Sequence, residues 1–501
     1  MDFFARRRFG VLLHPSSLPG PRGIGDLGAE AYRFVDWLHR AGAGVWQVLP
    51  LCPPGGSQLD TPYVSWAALA GNPQLISLEQ LVQDGLLSSS ELPAGTFAEG
   101  WAHPKEAMAA KVLPLRAAAR RLAAGHPLGA ELSRFKAHSS WALEAARFAA
   151  RREAAGGAPW WRWPDNLRSR DAGRLAEVDA ELSEAIHEAL VHQFLFERQW
   201  SALRGYAAAR GVEILGDMPI YVMGDSADVW ADPAGWQMAE DGTLPVVSGV
   251  PPDMFAEDGQ LWGGPLYDWA HMAKDDYRWW RHRLARALVH ADAVRVDHFR
   301  AFSAYWEVPG GAPNARGGRW VPGPGLAFFE AVERHMGRLP LCAEDLGTID
   351  DDVRALLAAT RIPGMRVMHY GFGGEADNPH LPHNVDASAV IYPGNHDNDT
   401  TAGWWSTLSD PVRSHAQHYL GRHGDDIAWD LNRAALASRA ALAVIQVQDL
   451  LTLGSEARMN DPASYARPAD TWRNWRWRLH PDQLGLDVAE RLRFLAGLYG
   501  R

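Results

Sequence analysis

The sequence predicts an α/β protein built around a parallel barrel, and two observations support that prediction. Strand-like apolar runs alternate with helical segments through the second half of the chain, which is the pattern of βα units. Four of five such runs end in a carboxylate or have one just past the end. Because the carboxyl ends of barrel strands meet at one rim, these carboxylates are expected to converge there.

The stretch AVRVDHFR, residues 293–300, is the run with the clearest two-sided character. Alternate side chains of a strand share a face, so Arg295 and Asp297 point one way and the two valines point the other. The valines can pack under helices, while the other face opens into a site at the strand's carboxyl end. The arginine favours the ionised form of the aspartate. Taken alone, the pair is equally consistent with a structural salt bridge.

The other elements follow in chain order. Strands are expected at residues 9–13 and 44–51, a helix at about 29–39 and a long helix at about 182–210. The remaining strand candidates lie at 211–217, 339–345, 364–370 and 388–397. Residues 74–181 are rich in Ala, Leu, Arg and Glu at helical spacing. We therefore expect one domain over residues 1–501 with a helical insertion subdomain at 74–181.

Composition excludes several classes of function. A chain of 501 residues with 47% hydrophobic content is long enough for a large core. The net charge of −11, with no block of like charge, argues against a nucleic-acid partner. Two cysteines cannot form a disulfide framework or a cysteine-rich metal cluster. With no apolar run of signal-peptide or membrane-spanning length, we expect a cytoplasmic protein without a membrane partner.

Converging carboxylates point first to chemistry on glycosidic bonds, which needs one protonated and one ionised carboxyl group. Asp297 fits the ionised role. Glu344 fits the acid/base role, with its neighbour Asp345 as a rival. Asp397, beside His396, could accept sugar hydroxyls and stabilise positive charge at the anomeric carbon. From residue types alone, Mg²⁺-dependent phosphoryl or enolate chemistry remains an alternative.

Four motifs resemble the signature regions of the α-amylase clan: GDMPIYV (216–222), RVDHFR (295–300), AEDLG (343–347) and GNHDNDT (394–400). Loop motifs narrow the resemblance to the 4-α-glucanotransferases, also called amylomaltases or disproportionating enzymes. Among them are LLHPSSLPGPRGIGDLG (12–28), TPYVSWAALAGNP (61–73), GQLWGGPLYDW (259–269) and, near the end, RMNDP and NWRWR. The resemblance runs over nearly the whole chain.

The resemblance implies a (β/α)8 TIM barrel with a largely helical insertion subdomain and no separate C-terminal β-domain. It also implies a transferase of hexosyl groups that acts on α-1,4-glucans and maltooligosaccharides by a retaining double displacement, with neither metal nor other cofactor. A hydrolase of the same clan is the first alternative. A catalytically silent glucan-binding protein is an alternative from another class. The sequence does not indicate an oligomeric state and is compatible with a monomer.

The resemblance also assigns roles to residues. Asp297 matches the family nucleophile, Glu344 the acid/base and Asp397 the stabiliser of the transition state. The loop at 251–262 matches a mobile loop that arches over the cleft. Among the matched substrate-binding residues, Arg295 and His396 hold the nucleophile and the sugar hydroxyls. Tyr63 stacks on the donor sugar, and Asp217 lies in the first signature region. The loop contributes Asp253 and Trp262.

Three positions depart from the family pattern. Asn395 stands where a threonine usually precedes His-Asp-Asn. Ala301 stands where a glycine often follows the arginine-rich strand end, and Val385 where an aromatic residue often follows His-Asn. None of the three is a catalytic carboxylate, so the departures bear on fine specificity and not on the class of reaction.

Overall fold

The computed structural model describes residues 3–55, 61–95, 97–252, 256–466 and 472–501. Within these ranges the strands are β1 (Arg8–Leu12), β2 (Val45–Gln47), β3 (Glu213–Met218), β4 (Val246–Val250), β5 (Gln260–Leu261), β6 (Ala293–Val296), β7 (Ala304–Pro309), β8 (Arg319–Pro322), β9 (Leu341–Ala343), β10 (Met365–Val367), β11 (Val390–Tyr392) and β12 (Leu442–Gln446).

Eight of these strands form one parallel sheet in the order β10-β11-β12-β1-β2-β3-β6-β9. The two ends of that sheet also meet. Ala343 at the end of β9 forms a parallel bridge with Gly364, and its N–H donates to the carbonyl of Pro363 over 2.8 Å. The sheet therefore closes into a barrel, and the predicted (β/α)8 fold class is confirmed.

The barrel strands are apolar because both of their faces are covered. All five residues of β12 are buried, as are all of β6, β9 and β11. Parallel strands packed under helices have this near-continuous apolar character. The sequence identified most of these strands by that character, but the prediction did not include β12.

The helices surround the barrel: α1 (Ala29–Ala41), α2 (Leu78–Gln83), α3 (Pro104–Ala123), α4 (Gly129–His138), α5 (Ser140–Ala154), α6 (Asp165–Arg168), α7 (Ala172–Glu181), α8 (Ser183–Ala208), α9 (Ala227–Ala231), α10 (Trp269–Ala273), α11 (Arg278–His290), α12 (Gly325–Met336), α13 (Asp351–Thr360), α14 (Thr401–Thr407), α15 (Asp410–Leu420), α16 (Ile427–Ala437), α17 (Val447–Leu450) and α18 (Leu486–Leu498). The predicted helices at about 29–39 and 182–210 are confirmed as α1 and α8.

Helices α2 to α7 lie between β2 and β3, in the stretch where the sequence predicts an insertion. Lys111 of α3 is fully buried and donates to the carbonyls of Gln74 and Ile76 over 2.6 and 2.8 Å. These contacts fix α3 against the chain that follows β2. We retain as a proposal the division into one domain with a subdomain at residues 74–181.

A second, antiparallel sheet has the order β5-β4-β7-β8, which the sequence did not predict. Its strands pair Trp306 with Trp320 and Glu307 with Arg319 across β7 and β8. These strands are only two to six residues long, and a Gly-rich segment at residues 310–318 separates β7 from β8, so they leave little local signal. The sheet matters for the site because β5 ends directly before Trp262.

Searching the described helices for an apolar segment long enough to cross a membrane finds none.

The closing contact of the barrel makes a testable prediction at Gly364. A Cβ there would collide with the carboxylate of Asp345. Gly364→Ala should therefore destabilise the fold by about 1–3 kcal/mol, the usual cost of overpacking. Urea or thermal unfolding measures this change. Gly205→Ala is the matched control: Gly205 lies in α8 with open space around its Cβ position, so alanine should stabilise by roughly 0.5–1 kcal/mol. Equal unfolding midpoints for Gly364→Ala and the parent protein would contradict the assignment of a tight seam.

Candidate active site

The carboxyl ends of four barrel strands carry most of the predicted site residues. Asp217 lies in β3, Asp297 directly follows β6, and Glu344 directly follows β9. His396 and Asp397 lie in the loop after β11. Asp217, Asp297, His396 and Asp397 share one network of contacts with Arg295 and Tyr63. Glu344 joins them through the backbone N–H of His298, so the structure brings together residues from distant parts of the chain at one rim.

Arg295 is the centre of this network. Its side chain is 2% exposed, and its Nη1 lies 2.8 Å from both carboxylate oxygens of Asp217. The same nitrogen lies 2.9 Å from Oδ1 of Asp297. Alternation along β6 places Arg295 and Asp297 on one face, as the sequence predicts. A buried cation between two carboxylates offsets much of the cost of removing all three charges from water.

The state of Asp297 is set by two opposing effects. Burial raises the pKa of Asp297 to about 6, while the guanidinium of Arg295 works in the opposite direction. Arg295 thus acts in the direction expected from the sequence, but burial outweighs it. Because the resulting pKa remains below neutrality, the carboxylate is ionised at pH 7.

Glu344 is held by backbone groups. Its Oε2 accepts the N–H of His298 over 2.8 Å, and its Oε1 accepts the N–H of Leu346 over 3.0 Å. Burial, reinforced by the negative charge of Asp297, raises the pKa of Glu344 to about 8. Glu344 therefore carries a proton at pH 7.

The backbone at His298 explains how the two carboxyl groups are held together. His298 has a φ of 49°, in the left-handed region that non-glycine residues seldom adopt. This conformation turns the chain directly after Asp297 and directs the His298 N–H to Glu344. A strained residue beside two acids is typical of functional sites.

Asp345 has a different environment from its neighbour. It is 6% exposed, its Oδ1 accepts the N–H of Met365, and its Oδ2 accepts from Arg366, both over 2.7 Å. The side chain thus lies in the seam between β9 and β10. Of the two adjacent acids, Glu344 is the one that contacts the residue following Asp297.

Tyr63 and His396 connect the first part of the rim to Asp397. The hydroxyl of Tyr63 donates to Oδ2 of Asp217 and lies 2.8 Å from Nε2 of His396. Since that hydroxyl hydrogen is used, the Tyr63 oxygen accepts from His396, which assigns a proton to Nε2. The two rings stack with centroids 5.3 Å apart.

Asp397 has the strongest support for its charge. Its Oδ2 lies 3.3 Å from Nε2 of His396, and its Oδ1 accepts the side-chain amide of Asn460 over 2.6 Å. Burial opposes ionisation, but His396 and Asn460 outweigh it and hold the pKa of Asp397 well below its usual range. Asp397 is therefore a carboxylate at every pH at which the other two acids titrate.

Trp262 lies beside these groups and is 40% exposed. Its indole meets the ring of His298 edge to face with centroids 4.8 Å apart. An exposed aromatic face next to the residue that binds Glu344 can support a sugar ring. Asp253, predicted as a second contact from the same loop, lies outside the described residues.

Sequence reasoning missed the contacts made by the C-terminal segment. Arg458 donates to the backbone carbonyl of Asp397 over 2.7 Å, in addition to the Asn460 contact. Both residues belong to the RMNDP motif. This motif is part of the family resemblance, but the resemblance assigns no role to its members. The polar composition of that motif is the signal that could have found them.

The three departures from the family pattern are buried at 1–2% exposure. Asn395 accepts the backbone N–H of Asp397 through its Oδ1 over 3.0 Å, so this side chain still supports the loop that carries Asp397. Ala301 lies in the turn after β6, and Val385 belongs to the main hydrophobic core.

In the described ranges, no group of three or more His, Cys, Asp and Glu residues is arranged to hold a metal ion. The position between Asp217 and Asp297, where two carboxylates face each other, is filled by the guanidinium of Arg295. A cation is thus supplied there by the chain itself.

The fold and the site together define a barrel enzyme with an ionised and a protonated carboxyl group side by side, the combination used on glycosidic bonds. A family model described as 4-alpha-glucanotransferase matches residues 13–484. The chloroplastic/amyloplastic 4-alpha-glucanotransferase of Arabidopsis thaliana is 46% identical over 99% of this chain and 86% of its own length. The 4-alpha-glucanotransferase of Thermus thermophilus is 43% identical over 98% of each.

Among solved structures, an amylomaltase from Streptococcus agalactiae in complex with acarbose superposes with a TM-score of 0.94. It is 34% identical and is covered over its whole length by 99% of this chain. The chain therefore belongs to the 4-alpha-glucanotransferase family. The predicted family is confirmed, and a hydrolase is not favoured.

The different environments of the two adjacent acids make a prediction about stability. Asp345→Asn should weaken the pairing with Arg366 and destabilise the fold by roughly 2–4 kcal/mol, less than a fully buried charge would cost because Arg366 is partly exposed. Glu344→Gln keeps nearly the same shape, but its amide nitrogen cannot accept one of the two backbone N–H groups, so it should cost about 1–2 kcal/mol, still less than Asp345→Asn. Chemical unfolding of both variants, with activity measured in parallel, checks this. A larger loss of stability in Glu344→Gln would reverse the assignment.

Proposed function

We propose that this protein transfers segments of α-1,4-glucans to the 4-hydroxyl of another glucan or of glucose, by a retaining double displacement at Asp297 and Glu344. Its family supplies the class of activity, 4-alpha-glucanotransfer. The mechanism is supported by the different surroundings of the two acids: Arg295 lies 2.9 Å from Asp297, whereas Glu344 accepts from two neutral backbone N–H groups beside the charge of Asp297, so their pKa values separate, at about 6 and about 8. Acid and nucleophile roles need such a separation.

In the first step, the ionised Asp297 attacks the anomeric carbon of the donor. The glycosidic bond breaks, its electron pair stays on the departing oxygen, and Glu344 gives its proton to that oxygen. The product is a glycosyl ester on Asp297 and a free glucan with a new non-reducing end. Glu344 is left as a carboxylate.

In the second step, an incoming sugar presents its 4-hydroxyl. Glu344 removes the proton from this hydroxyl, the hydroxyl oxygen attacks the anomeric carbon, and the ester bond to Asp297 breaks. Both acids return to their starting states. Two inversions at the same carbon give net retention of the α configuration.

The surrounding residues have supporting roles in this proposal. Asp397 stabilises positive charge at the anomeric carbon and accepts sugar hydroxyls, with His396 beside it. Arg295 and Asp217 hold Asp297 in position. Tyr63, whose ring stacks on His396 and whose hydroxyl binds Asp217, contributes an aromatic contact to the donor sugar.

Transfer rather than hydrolysis requires that a sugar hydroxyl outcompetes water at the ester. The exposed indole of Trp262, packed against His298 on the Glu344 side, provides a surface on which an acceptor ring can stack. Holding that ring in place raises the effective concentration of its hydroxyl. The amylomaltase from Streptococcus agalactiae is in complex with acarbose, which supports glucan-like ligands for this site.

The finer terms of the proposal are α-1,4-glucan and maltooligosaccharide substrates and a cytoplasmic location. The small number of cysteines is consistent with that location. The relative from Arabidopsis thaliana is named as chloroplastic/amyloplastic, so membership of the family does not by itself specify a compartment.

Incubation with maltotriose tests the function directly. A transferase should give free glucose together with a ladder of longer and shorter maltooligosaccharides, at a nearly constant number of reducing ends. Chromatography of the products and a reducing-end assay measure both quantities. Asp297→Asn is the control and should lose nearly all turnover while still binding glucans. Only shorter sugars with steadily rising reducing ends would indicate a hydrolase, and undiminished turnover in Asp297→Asn would refute the nucleophile.

The pH dependence of kcat/KM should be bell-shaped. As pH falls below about 6, Asp297 takes up a proton and can no longer attack; as pH rises above about 8, Glu344 loses the proton that it must donate. Initial rates on maltotriose across this range locate both limbs. A change in salt concentration should move them little, since both groups are only partly exposed and are screened less than surface charges. A rate that keeps rising well above pH 8 would exclude Glu344 as the acid.

A further inference from the structure

We propose that Asn460 is a positioning residue for Asp397, and that a one-way chain of hydrogen bonds from Trp475 through Tyr465 sets the orientation of its amide. The proposal rests on the role proposed above for Asp397. The proposal gives a role in the reaction to the segment after β12, which lies beyond the last of the eight barrel strands in the chain.

Asn460 contacts the loop after β11 at two points. Its side-chain Nδ2 donates to Oδ1 of Asp397 over 2.6 Å, and its backbone N–H donates to the carbonyl of His396 over 3.0 Å. Asn460 is 4% exposed, so water competes little for these contacts. The residue therefore fixes both the backbone of the loop and the carboxylate that the loop carries.

The direction of each hydrogen bond follows from the chemistry of the groups. An indole N–H can only donate, and Nε1 of Trp475 lies 2.9 Å from the Tyr465 hydroxyl. The Tyr465 oxygen accepts there, and its own hydrogen is directed to Oδ1 of Asn460 over 3.1 Å, with the side chains of Thr61 and Asn474 as further partners of the hydroxyl. Because a carboxylate can only accept, the Asn460 amide presents Nδ2 to Asp397 while its oxygen faces the Tyr465 hydroxyl.

This polarity matters because an asparagine amide can flip. In the flipped state, Oδ1 of Asn460 would face a carboxylate oxygen of Asp397 at hydrogen-bond distance, and two acceptors would repel each other. The Tyr465 hydroxyl stabilises the productive orientation. The donated hydrogen bond also contributes to holding the pKa of Asp397 well below its usual range.

The same contact leaves the second oxygen of Asp397 in a defined place. With Oδ1 held by Asn460, Oδ2 faces Nε2 of His396 at 3.3 Å. Trp475, the start of the chain of hydrogen bonds, also packs against Tyr63 and His396 with ring centroids 5.5 and 5.9 Å away. The indole thus touches both rings beside the donor position.

The test is a double-mutant cycle between Asn460 and Tyr465. Asn460→Leu keeps the approximate size of the side chain and removes both its donor and its acceptor. We expect kcat on maltotriose to fall about tenfold to a hundredfold, the range for losing a hydrogen bond to a charged group, with KM changed much less. Tyr465→Phe removes only the orienting hydroxyl and should lower kcat about threefold to tenfold.

The double variant discriminates between a chain and two separate contacts. If Tyr465 acts through Asn460, then Tyr465→Phe should cost nothing further in the Asn460→Leu background. Multiplicative losses in kcat would overturn the proposal, and so would an unchanged kcat in Asn460→Leu. Tyr206→Phe is the matched control, because the Tyr206 hydroxyl binds Asp36 on the surface, and its kcat should equal that of the parent.

A parallel measurement separates this proposal from the proposed function. Asp397→Asn should abolish turnover on maltotriose if Asp397 has its proposed role. Loss of turnover in Asp397→Asn with full activity in Asn460→Leu would reject the positioning role alone. Full activity in Asp397→Asn would reject the role of Asp397 itself. Thermal unfolding of each variant shows whether it folds. If Asn460→Leu does not fold, the proposal is tested by the kcat of Tyr465→Phe, a variant that keeps the amide of Asn460. A kcat equal to that of the parent protein would then reject the proposal.

Discussion

The contact of one buried guanidinium with two carboxylates is the interaction on which the site depends. Arg295 lies between Asp217 and Asp297, and its guanidinium favours the ionised form of Asp297 against the effect of burial. Burial and the available partners together then set the states of Asp397 and Glu344. Asp397 has His396 and an amide donor, whereas Glu344 accepts from two neutral backbone N–H groups. Glu344 is therefore the acid that keeps its proton.

The same principle explains why adjacent acids on one strand end behave differently. Glu344 and Asp345 are consecutive, so their side chains leave the chain in opposite directions. One reaches the rim beside the turn at His298, and the other closes the barrel seam with Arg366. A single dipeptide thus places one side chain at the rim beside the turn and the other in the seam of the barrel. Burial alone would not distinguish them, but the charge of the partner does.

Much of the fold and of the rim could be predicted from sequence because both leave local signals. Apolar runs ending in acids identified the strands that precede Asp297, Glu344 and Asp397. The antiparallel sheet escaped prediction, since its strands are only two to six residues long and a Gly-rich segment separates β7 from β8. The pairing of Asn460 with Asp397, 63 residues apart, leaves only the polar composition of the motif around Asn460 as a signal, and that composition does not identify the partner. Residues whose function depends on a distant partner are visible only once the chain is folded.

The position of β1 in the sheet affects how the chain folds during its synthesis. β1 pairs with β2 on one side and with β12 on the other, so strands from opposite ends of the chain are neighbours. During synthesis, more than 400 further residues must be added before β12 can pair with the second edge of β1. Until then the sheet has open edges that other chains could extend. Because of this circular order, the edge of β1 stays unpaired until β12, the last strand to be synthesised, covers it.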